Sequence, residues 1–515
     1  MNEAGIAERD EPAVGAPEDR AAQAPVWRWD LLVFVLAVAA RLFTVFRLGG
    51  SRGTFGYDAG VYFTASDALL HGRLPYRNFT QLHPPMIDLA LTPITALTHL
   101  FSDHTSFFIG VVAFTVLGGV NAVLTRRVCL RLGLGGAGSV VGGLVYALWY
   151  GSIEAEYLIK LEPLGNFFLL LALLFALRAD GPQLRLRPAV LAGVALGLAV
   201  STKIWWILPA VAIIVWLGAR HRSARPAGAA LGGMLAAVVV VNLPFFVAAP
   251  KQMWHMVVIA QLGRPRRHSL AHRILDITTL PRLVHTSHTV SLAVAGLTAV
   301  MLLAVLAAAL RVRAAWPAVG LLVLQLLILL AGPSWYPYYC DFLTVGLALT
   351  VAGAAASLRE RAVARTHRPR IVGPVVAAGM AVLTAAILIV DNIAVKPFPG
   401  GPQLARAVRN VRCVTSDSPV ALIELDALSR GLADGCSNPV DIEGTRFSTY
   451  RSKQVILRNT KYQNAMLRHL FTGRAIIILE PREEGITPAM LRSIAAHGLL
   501  AQVSYNRVYR GPGRG

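Results

Sequence analysis

Long apolar runs recur along this chain of 515 residues, and their length restricts its fold more than any other feature. The runs approach the ~20 residues that an α-helix needs to cross the hydrocarbon core of a bilayer. Hydrophobic residues make up 55% of the sequence and charged residues only 15%. The pattern predicts a polytopic α-helical membrane protein with about eleven transmembrane helices. The predicted spans are 29–49, 106–125, 136–151, 162–178, 188–202, 204–219, 227–248, 289–310, 315–332, 340–357 and 371–391.

Arginine clusters in alternate loops orient these spans, because cytoplasmic loops are enriched in Lys and Arg. The polar, acidic residues 1–28 are expected to form a disordered cytoplasmic tail. The chain is therefore expected to be a multi-pass protein of the inner (plasma) membrane, with its N-terminus in the cytoplasm and everything after residue 391 outside. The arginines assigned to the cytoplasm include Arg126, Arg127, Arg131, Arg178, Arg311 and Arg313.

The formal net charge of +21 does not indicate a nucleic-acid partner, because the basic residues are scattered between apolar spans. The predicted outer loop 249–288 is an exception to the charge rule, since it is basic and includes Arg264, Arg266 and Arg267. Either an anion such as a membrane-adjacent phosphate binds there, or the loop crosses the membrane regardless of its charge, as long loops do. The sequence leaves both interpretations open.

The first predicted outer loop, 50–105, carries an acid and several aromatic residues directly after the first span. Asp58 is a candidate functional residue, because ionisable groups beside a bilayer are often functional; the alternative is a solvated carboxylate at a helix end. The apolar stretch 84–101 includes Asp88 and Pro93, and we expect it to form a juxtamembrane or re-entrant helix.

Further candidates fall on the same predicted side. Lys203 lies between two apolar helices, where a cation is costly without an anionic partner; the alternative is a lysine that reaches the lipid headgroups. Glu162 either is functional or favours the helix N-terminus that it precedes. The aromatic turn of Tyr336, Tyr338 and Tyr339 either binds a sugar or belongs to an interfacial aromatic belt.

The sequence has no nucleotide-binding loop, nucleophile elbow or zinc-type Cys and His spacing. We therefore expect neither a metal ion nor a cofactor.

The C-terminal region, 392–515, is less hydrophobic and is predicted to form a small extracytoplasmic α/β domain. The segments Pro419 to Leu425 and Ala475 to Leu479 are predicted strands. The segments Gln403 to Val411 and Pro488 to His497 are predicted helices. Cys413 and Cys436 form either a disulfide or two free thiols.

The order of these motifs resembles the GT-C polyprenyl-phosphate-dependent glycosyltransferases, near the protein mannosyltransferases and the lipid A aminoarabinose transferases. The resemblance covers residues 29–391. It rests on Asp58 and Tyr62, Gly72 to Tyr76, His83-Pro84-Pro85, Glu162-Pro163, Ser201-Thr202-Lys203 and Pro337-Tyr338-Tyr339.

The resemblance implies that Asp58 is the catalytic base and that Lys203 binds the phosphate of the donor. His83 stands where many relatives have a phosphate-binding lysine, and Ala59 stands where many have a second acid. The expected donor phosphate-binding residues are Lys203, His83, Arg264, Arg266 and Arg267. The expected substrate-binding residues are Tyr57, Tyr62, Tyr76, Glu162, Tyr336, Tyr338 and Tyr339.

The implied activity is transfer of a hexose or pentose, with inversion, from a polyprenyl-phosphate donor. The acceptor would be a glycan, lipid or protein of the cell envelope. The sequence does not distinguish mannose, arabinose, glucose and galactose. The alternative functions are a transporter or flippase of polyprenyl-linked sugars and a non-catalytic scaffold with an outer binding domain.

Overall fold

The computed structural model describes residues 26–53, 56–178, 186–264, 266, 268–278, 287–366, 401–449, 458–479 and 486–513. Within these residues the first part of the chain is helical. Its helices are α1 Val26–Arg47, α2 Tyr57–Leu70, α3 Met86–Thr95, α4 Asp103–Leu132, α5 Gly135–Leu148, α6 Tyr150–Glu156, α7 Leu161–Arg178, α8 Leu186–Thr202, α9 Ile207–His221, α10 Ala224–Ala248, α11 Pro250–Trp254, α12 Ala260–Leu262, α13 Leu270–Ile277, α14 His288–Ala309, α15 Trp316–Ala331 and α16 Thr344–Thr366. A π-helical turn, His255–Ile259, separates α11 from α12. Short 3₁₀ helices lie at Gly50–Arg52, Ala96–His99, Ile204–Trp206, Arg313–Ala315 and Pro337–Leu343.

The prediction of a polytopic helical membrane protein is confirmed. In the described part of the chain, eight helices are long and apolar enough to cross a bilayer, and α5 and α8 are shorter apolar helices. Each predicted span before residue 358 coincides with one of these helices. The last predicted span, 371–391, lies outside the described residues, so the count of eleven spans stays a prediction. The apolar stretch after Pro85 forms α3, whose 10 residues are too few to cross a membrane.

Small residues and buried polar groups hold the helices together, because lipid offers little hydrophobic drive for helix association. A Cβ at Gly193 of α8 would lie 1.8 Å from the carbonyl oxygen of Ala230 in α10, so only glycine permits this approach. Elsewhere the guanidinium of Arg41 in α1 pairs with Glu156 of α6. The side chains of both residues are fully buried in this pair.

The C-terminal region forms a small α/β unit. Its strands are β1 Val414–Ser416, β2 Ala475–Ile478, β3 Leu499–Val503 and β4 Asn506–Arg510. The sheet order is β1-β2-β4-β3, with β1 parallel to β2 and the other pairs antiparallel. The helices are α17 Gly401–Val408, α18 Pro419–Glu424, α19 Leu428–Ala433, α20 Ile442–Thr449, α21 Thr460–Thr472 and α22 Pro488–Ala495. Cys413 and Cys436 form a disulfide with 5.6 Å between their Cα atoms.

The prediction of a strand at Pro419 to Leu425 is wrong, because the segment forms helix α18. Pro419 occupies the first turn, where its missing N–H costs nothing and its fixed φ favours a helix. The helix packs on α2, and Val420 lies so close to Gly60 that a Cβ at Gly60 would be 2.6 Å from the Val420 side chain. Tertiary packing therefore outweighed the β propensity of the segment.

The C-terminal unit rests on α2, on the loop that follows it and on the start of α4. The side chain of Asp103 accepts hydrogen bonds from the backbone N–H groups of Leu428 (2.8 Å) and Ser429 (3.2 Å) at the start of α19. Thr80 forms a β-bridge with Val440. These contacts bring residues 440–444 to the end of the helical bundle where α2 lies.

Candidate active site

A cavity of about 350 Å³ lies where the helical bundle meets the C-terminal unit. Its walls come from the start of α2, the loop before α3, the connection between α6 and α7, the residue after α8, the 3₁₀ turn after α15 and the start of α20. The polar and aromatic lining residues are Tyr57, Asp58, Tyr62, Gln81, His83, Glu154, Tyr157, Lys160, Glu162, Lys203, Arg264, Tyr336, Tyr338, Tyr339, Asp441 and Glu443.

Asp58 lies in the first turn of α2 and faces this cavity. Its Oδ2 accepts a hydrogen bond from the Lys160 ammonium at 2.6 Å and another from the Tyr338 hydroxyl at 2.7 Å. Lys160 also lies 3.8 Å from the centre of the Tyr338 ring. The Asp58 side chain keeps 31% of its surface exposed, whereas Lys160 keeps 5%.

The protonation of Asp58 follows from this arrangement. Burial disfavours the ionised carboxylate, but the charge of Lys160, the hydrogen bonds from Lys160 and Tyr338, and nearby His83 outweigh that effect. Together they hold the pKa of Asp58 at about 2, below its ordinary value of 3.8. Asp58 is therefore ionised at neutral pH.

Lys203 forms a second, deeper pair. Its ammonium donates to Oε1 of Glu162 at 2.6 Å and lies 3.5 Å from the centre of the Trp205 ring and 4.1 Å from that of Tyr339. The side chains of Lys203 and Glu162 are 3% and 1% exposed. A cation between two apolar helices needs an anionic partner, and for Lys203 this partner is Glu162, in the first turn of α7.

His83 also lines the cavity and packs edge-on against the Tyr62 ring, with 6.3 Å between ring centres. Burial, together with the charges of Lys203, Arg264 and Lys160, lowers the pKa of His83 well below its ordinary value, so the ring is neutral at neutral pH.

Tyr76 does not line the cavity. Its hydroxyl donates to the His83 carbonyl oxygen at 2.6 Å, and its backbone has a φ of 66°, an unusual conformation for a bulky residue. Tyr76 therefore positions His83.

The three arginines after α12 that were predicted to bind the donor phosphate do not all line the cavity. Arg264 lines the cavity, whereas Arg266 is exposed and is not among the lining residues. Arg267 lies outside the described residues.

The C-terminal unit closes one side of the cavity with Asp441. Oδ1 of Asp441 accepts hydrogen bonds from the Gly444 N–H at 2.6 Å and from the Tyr57 hydroxyl at 3.3 Å. A Cβ at Gly444 would lie 2.0 Å from Oδ2 of Asp441, so a larger residue there would displace this carboxyl. Burial, with smaller effects from Glu443 and Asp58, raises the pKa of Asp441 to about 7 despite the hydrogen bond from Gly444.

Sequence reasoning missed Lys160 and Asp441. Lysine is rare in this chain, with only six residues among 515, and this rarity is a signal that favours Lys203. The same signal applies to Lys160, whereas Asp441 belongs to no motif. Among the residues that the structure describes, no group of three or more His, Cys, Asp or Glu side chains is arranged to hold a metal ion.

Comparison of the whole fold with solved structures finds similar membrane proteins. ArnT from Cupriavidus metallidurans in the apo state superimposes with a TM-score of 0.61 at 16% identity, over 94% of this chain and 98% of that chain. The same protein bound to undecaprenyl phosphate gives 0.54 at 14% identity, with the same coverage of 94% and 98%.

The archaeal oligosaccharyltransferase AglB from Archaeoglobus fulgidus, in complex with an inhibitory peptide and a dolichol-phosphate, gives 0.51 at 13% identity, over 88% and 70% of the two chains. ArnT and AglB both have the GT-C fold. This chain has the GT-C fold.

The GT-C fold expected from the sequence is thus confirmed by structural similarity. No protein-family model matches the sequence, and comparison with curated proteins gives no match. At 13% to 16% identity these neighbours establish the fold, and the activity has to be argued from the cavity.

Proposed function

We propose that this protein is an integral-membrane glycosyltransferase that moves a monosaccharide from a polyprenyl-phosphate donor to an extracytoplasmic acceptor, with inversion. The observation that carries the proposal is a partly exposed, ionised carboxylate in a cavity that also holds two lysines and an arginine. Such a site provides a proton acceptor and fixed positive charge next to each other. The neighbours with the same fold were solved with undecaprenyl phosphate and with a dolichol-phosphate, which supports a lipid-linked donor.

The proposed reaction is a single displacement. Oδ1 of Asp58 takes the proton of the acceptor hydroxyl. At the same time the oxygen of that hydroxyl bonds to the anomeric carbon of the sugar. The bond from that carbon to the phosphate oxygen breaks, and its electron pair leaves with the polyprenyl phosphate. Positive groups fixed near the leaving phosphate stabilise the charge that grows there. Attack from the side opposite the leaving group inverts the anomeric carbon.

We assign the phosphate to the part of the cavity lined by Lys203, Arg264 and the neutral ring of His83, with Lys203 remaining paired with Glu162. Glu162 acts through Lys203, whose ammonium it holds in place. The sugar and acceptor would contact the tyrosines of the lining, which offer ring faces and hydroxyls: Tyr57, Tyr62, Tyr336, Tyr338 and Tyr339. Tyr76 contributes only through His83, and Arg266 has no place in this assignment.

The membrane orientation belongs to the same proposal. The cavity and the C-terminal unit share one end of the bundle, whereas Asp30, Arg127, Arg131 and Arg178 line a second cavity together. This basic cavity fits the cytoplasmic side by the positive-inside rule. The C-terminal unit is then extracytoplasmic, and the helical bundle lies in the plasma (inner) membrane of the cell.

The test is transfer of radiolabelled sugar from a panel of polyprenyl-phosphate monosaccharides to envelope extract by the purified protein. Asp58→Asn should lower transfer by ~10²–10⁴-fold, the usual contribution of a positioned base. Asp434→Asn is the matched control, because Asp434 is exposed in the C-terminal unit and its nearest cation, Arg412, is 3.9 Å away.

Equal transfer by wild type and Asp58→Asn would exclude Asp58 as the base. Lipid binding without transfer from any donor would favour a flippase instead. Recovery of a covalent glycosyl-enzyme would contradict inversion by single displacement.

A further inference from the structure

Lys160 takes part in a contact that the proposed reaction has to change. Its ammonium and the Tyr338 hydroxyl both donate to Oδ2 of Asp58, at 2.6 Å and 2.7 Å. Oδ1 of Asp58 receives no hydrogen bond from the residues that the structure describes. The carboxylate therefore has one oxygen held by Lys160 and Tyr338. Its other oxygen can accept the proton of an acceptor hydroxyl.

The two lysines of the cavity are almost equally buried, at 5% and 3% exposed, but only Lys160 has a carboxylate partner that faces open space. The carboxylate partner of Lys203 is 1% exposed, and Trp205 and Tyr339 cover the ammonium of Lys203. The carboxylate partner of Lys160 is 31% exposed at the cavity wall. A phosphate in the cavity thus competes with Asp58, rather than with Glu162, for a lysine.

This competition would raise the pKa of Asp58, which is the direction that a general base needs. With Lys160 in place the carboxylate is a weak proton acceptor, because its pKa is about 2. Burial acts in the opposite sense and is the largest single influence on this group. A general base works best when its pKa is close to the working pH, so loss of the Lys160 contact would strengthen the base.

We propose that Lys160 is shared between Asp58 and the phosphate of the donor, pairing with Asp58 in the empty site and turning to the phosphate when the donor binds. This inference rests on the proposed function, since it needs a phosphate-bearing donor. The face of the Tyr338 ring supports the ammonium beside the carboxylate. Donor binding then makes Asp58 a stronger base at the moment when an acceptor can be used.

Sharing of one cation between two anions has a reciprocal consequence. If phosphate binding weakens the hold of Lys160 on Asp58, removal of the Asp58 charge must strengthen phosphate binding by the same coupling. The gain must also disappear when Lys160 is absent. A general repulsion between Asp58 and the phosphate would act in both backgrounds.

The experiment is a double-mutant cycle on equilibrium binding of undecaprenyl phosphate to the full-length protein in detergent. The four proteins are wild type, Asp58→Asn, Lys160→Met and the double variant. We expect Asp58→Asn to bind about 10-fold more tightly than wild type and Lys160→Met about 10-fold more weakly. In the Lys160→Met background, Asp58→Asn should change affinity by less than about 3-fold.

The controls separate folding from coupling. Asp434→Asn should bind as wild type does, and Lys160→Arg should keep most of the affinity, because arginine retains the charge. Thermal unfolding of each variant checks that it is folded. If Asp58→Asn does not fold, Asp58→Ser replaces it in the cycle, since it is also neutral and is smaller.

The outcomes fall into distinct classes. Unchanged or weaker binding by Asp58→Asn overturns the sharing of Lys160, and so does an equal gain in both backgrounds. No binding of the lipid phosphate by wild type, together with no transfer from any donor, overturns the proposed function itself.

Discussion

The cavity contains two groups of side chains, each made of a lysine, a carboxylate and a tyrosine, and the two groups are buried to different depths. In one, Lys160 pairs with Asp58 and packs on Tyr338; in the other, Lys203 pairs with Glu162 and packs on Tyr339. Water reaches the first carboxylate, which is 31% exposed, and hardly reaches the second, which is 1% exposed. The difference teaches that an ion pair with a partly exposed carboxylate can exchange partners with a ligand. A pair with both groups buried is fixed, because separation would leave a charge in a low dielectric.

The largest expected difference between the two groups is in transfer. Asp58→Asn should reduce the rate by ~10²–10⁴-fold with little effect on folding. Glu162→Gln should reduce the rate by about 10-fold or less, because its carboxylate acts through Lys203. Rates normalised to folded protein measure both effects, and similar losses for the two variants would remove the distinction.

The second difference is in stability. Lys203→Met should lower the free energy of unfolding by about 3–5 kcal/mol, the cost of leaving a buried carboxylate without its partner. Lys160→Met should cost less, about 1–2 kcal/mol, because Asp58 is 31% exposed and water can partly replace the lysine. Thermal unfolding in detergent gives the comparison, and adding Glu162→Gln to Lys203→Met should recover part of the loss.

Tyr338 and Tyr339 allow the two ion pairs to be compared by removal of a single hydroxyl from each. Tyr338→Phe removes a hydrogen bond to an ionised carboxylate and should lower transfer about 10-fold. Tyr339→Phe keeps the ring against Lys203, and its hydroxyl has no hydrogen-bond partner among the described residues, so transfer should fall by less than about 3-fold. Equal effects of the two changes, in the assay used for Asp58→Asn, would argue against a special role for Tyr338.

The smallest expected effect concerns Asp441, whose pKa is shifted in the direction opposite to that of Asp58. The pKa of Asp441 rises from 3.8 to about 7 on folding, so the folded chain binds its proton more tightly than the unfolded chain. The stability from this group is fully present below about pH 4 and is lost as the pH rises towards 7. Asp441→Asn should therefore be more stable than wild type at pH 8, by on the order of 1 kcal/mol, and should show no gain at pH 4. Unfolding curves at the two pH values provide the measurement, and an equal change at both would exclude titration of Asp441 as the cause.

The sequence predicted the fold well because transmembrane helices are read from local apolar length. It also pointed to Asp58, Lys203, Glu162 and His83, each of which lines the cavity. What it could not provide were the partners, since the contact from Lys160 to Asp58 spans 102 positions and that from Tyr57 to Asp441 spans 384. The strand predicted at Pro419 to Leu425 was wrong for the same reason, because contact with α2 decided its structure.

The way the C-terminal unit closes the cavity has a consequence for the order of events at the ribosome. Tyr57 and the residue that it contacts, Asp441, are 384 positions apart, so at ordinary translation rates roughly 20–80 s separate their synthesis. Lys160 and Lys203 are made within that interval, so for the rest of it the growing chain contains Asp58, Lys160 and Lys203 but lacks one wall of the cavity. A stalled or truncated chain would reach the membrane with these groups open to the surrounding water. The cavity is completed only when the last fifth of the protein has been made.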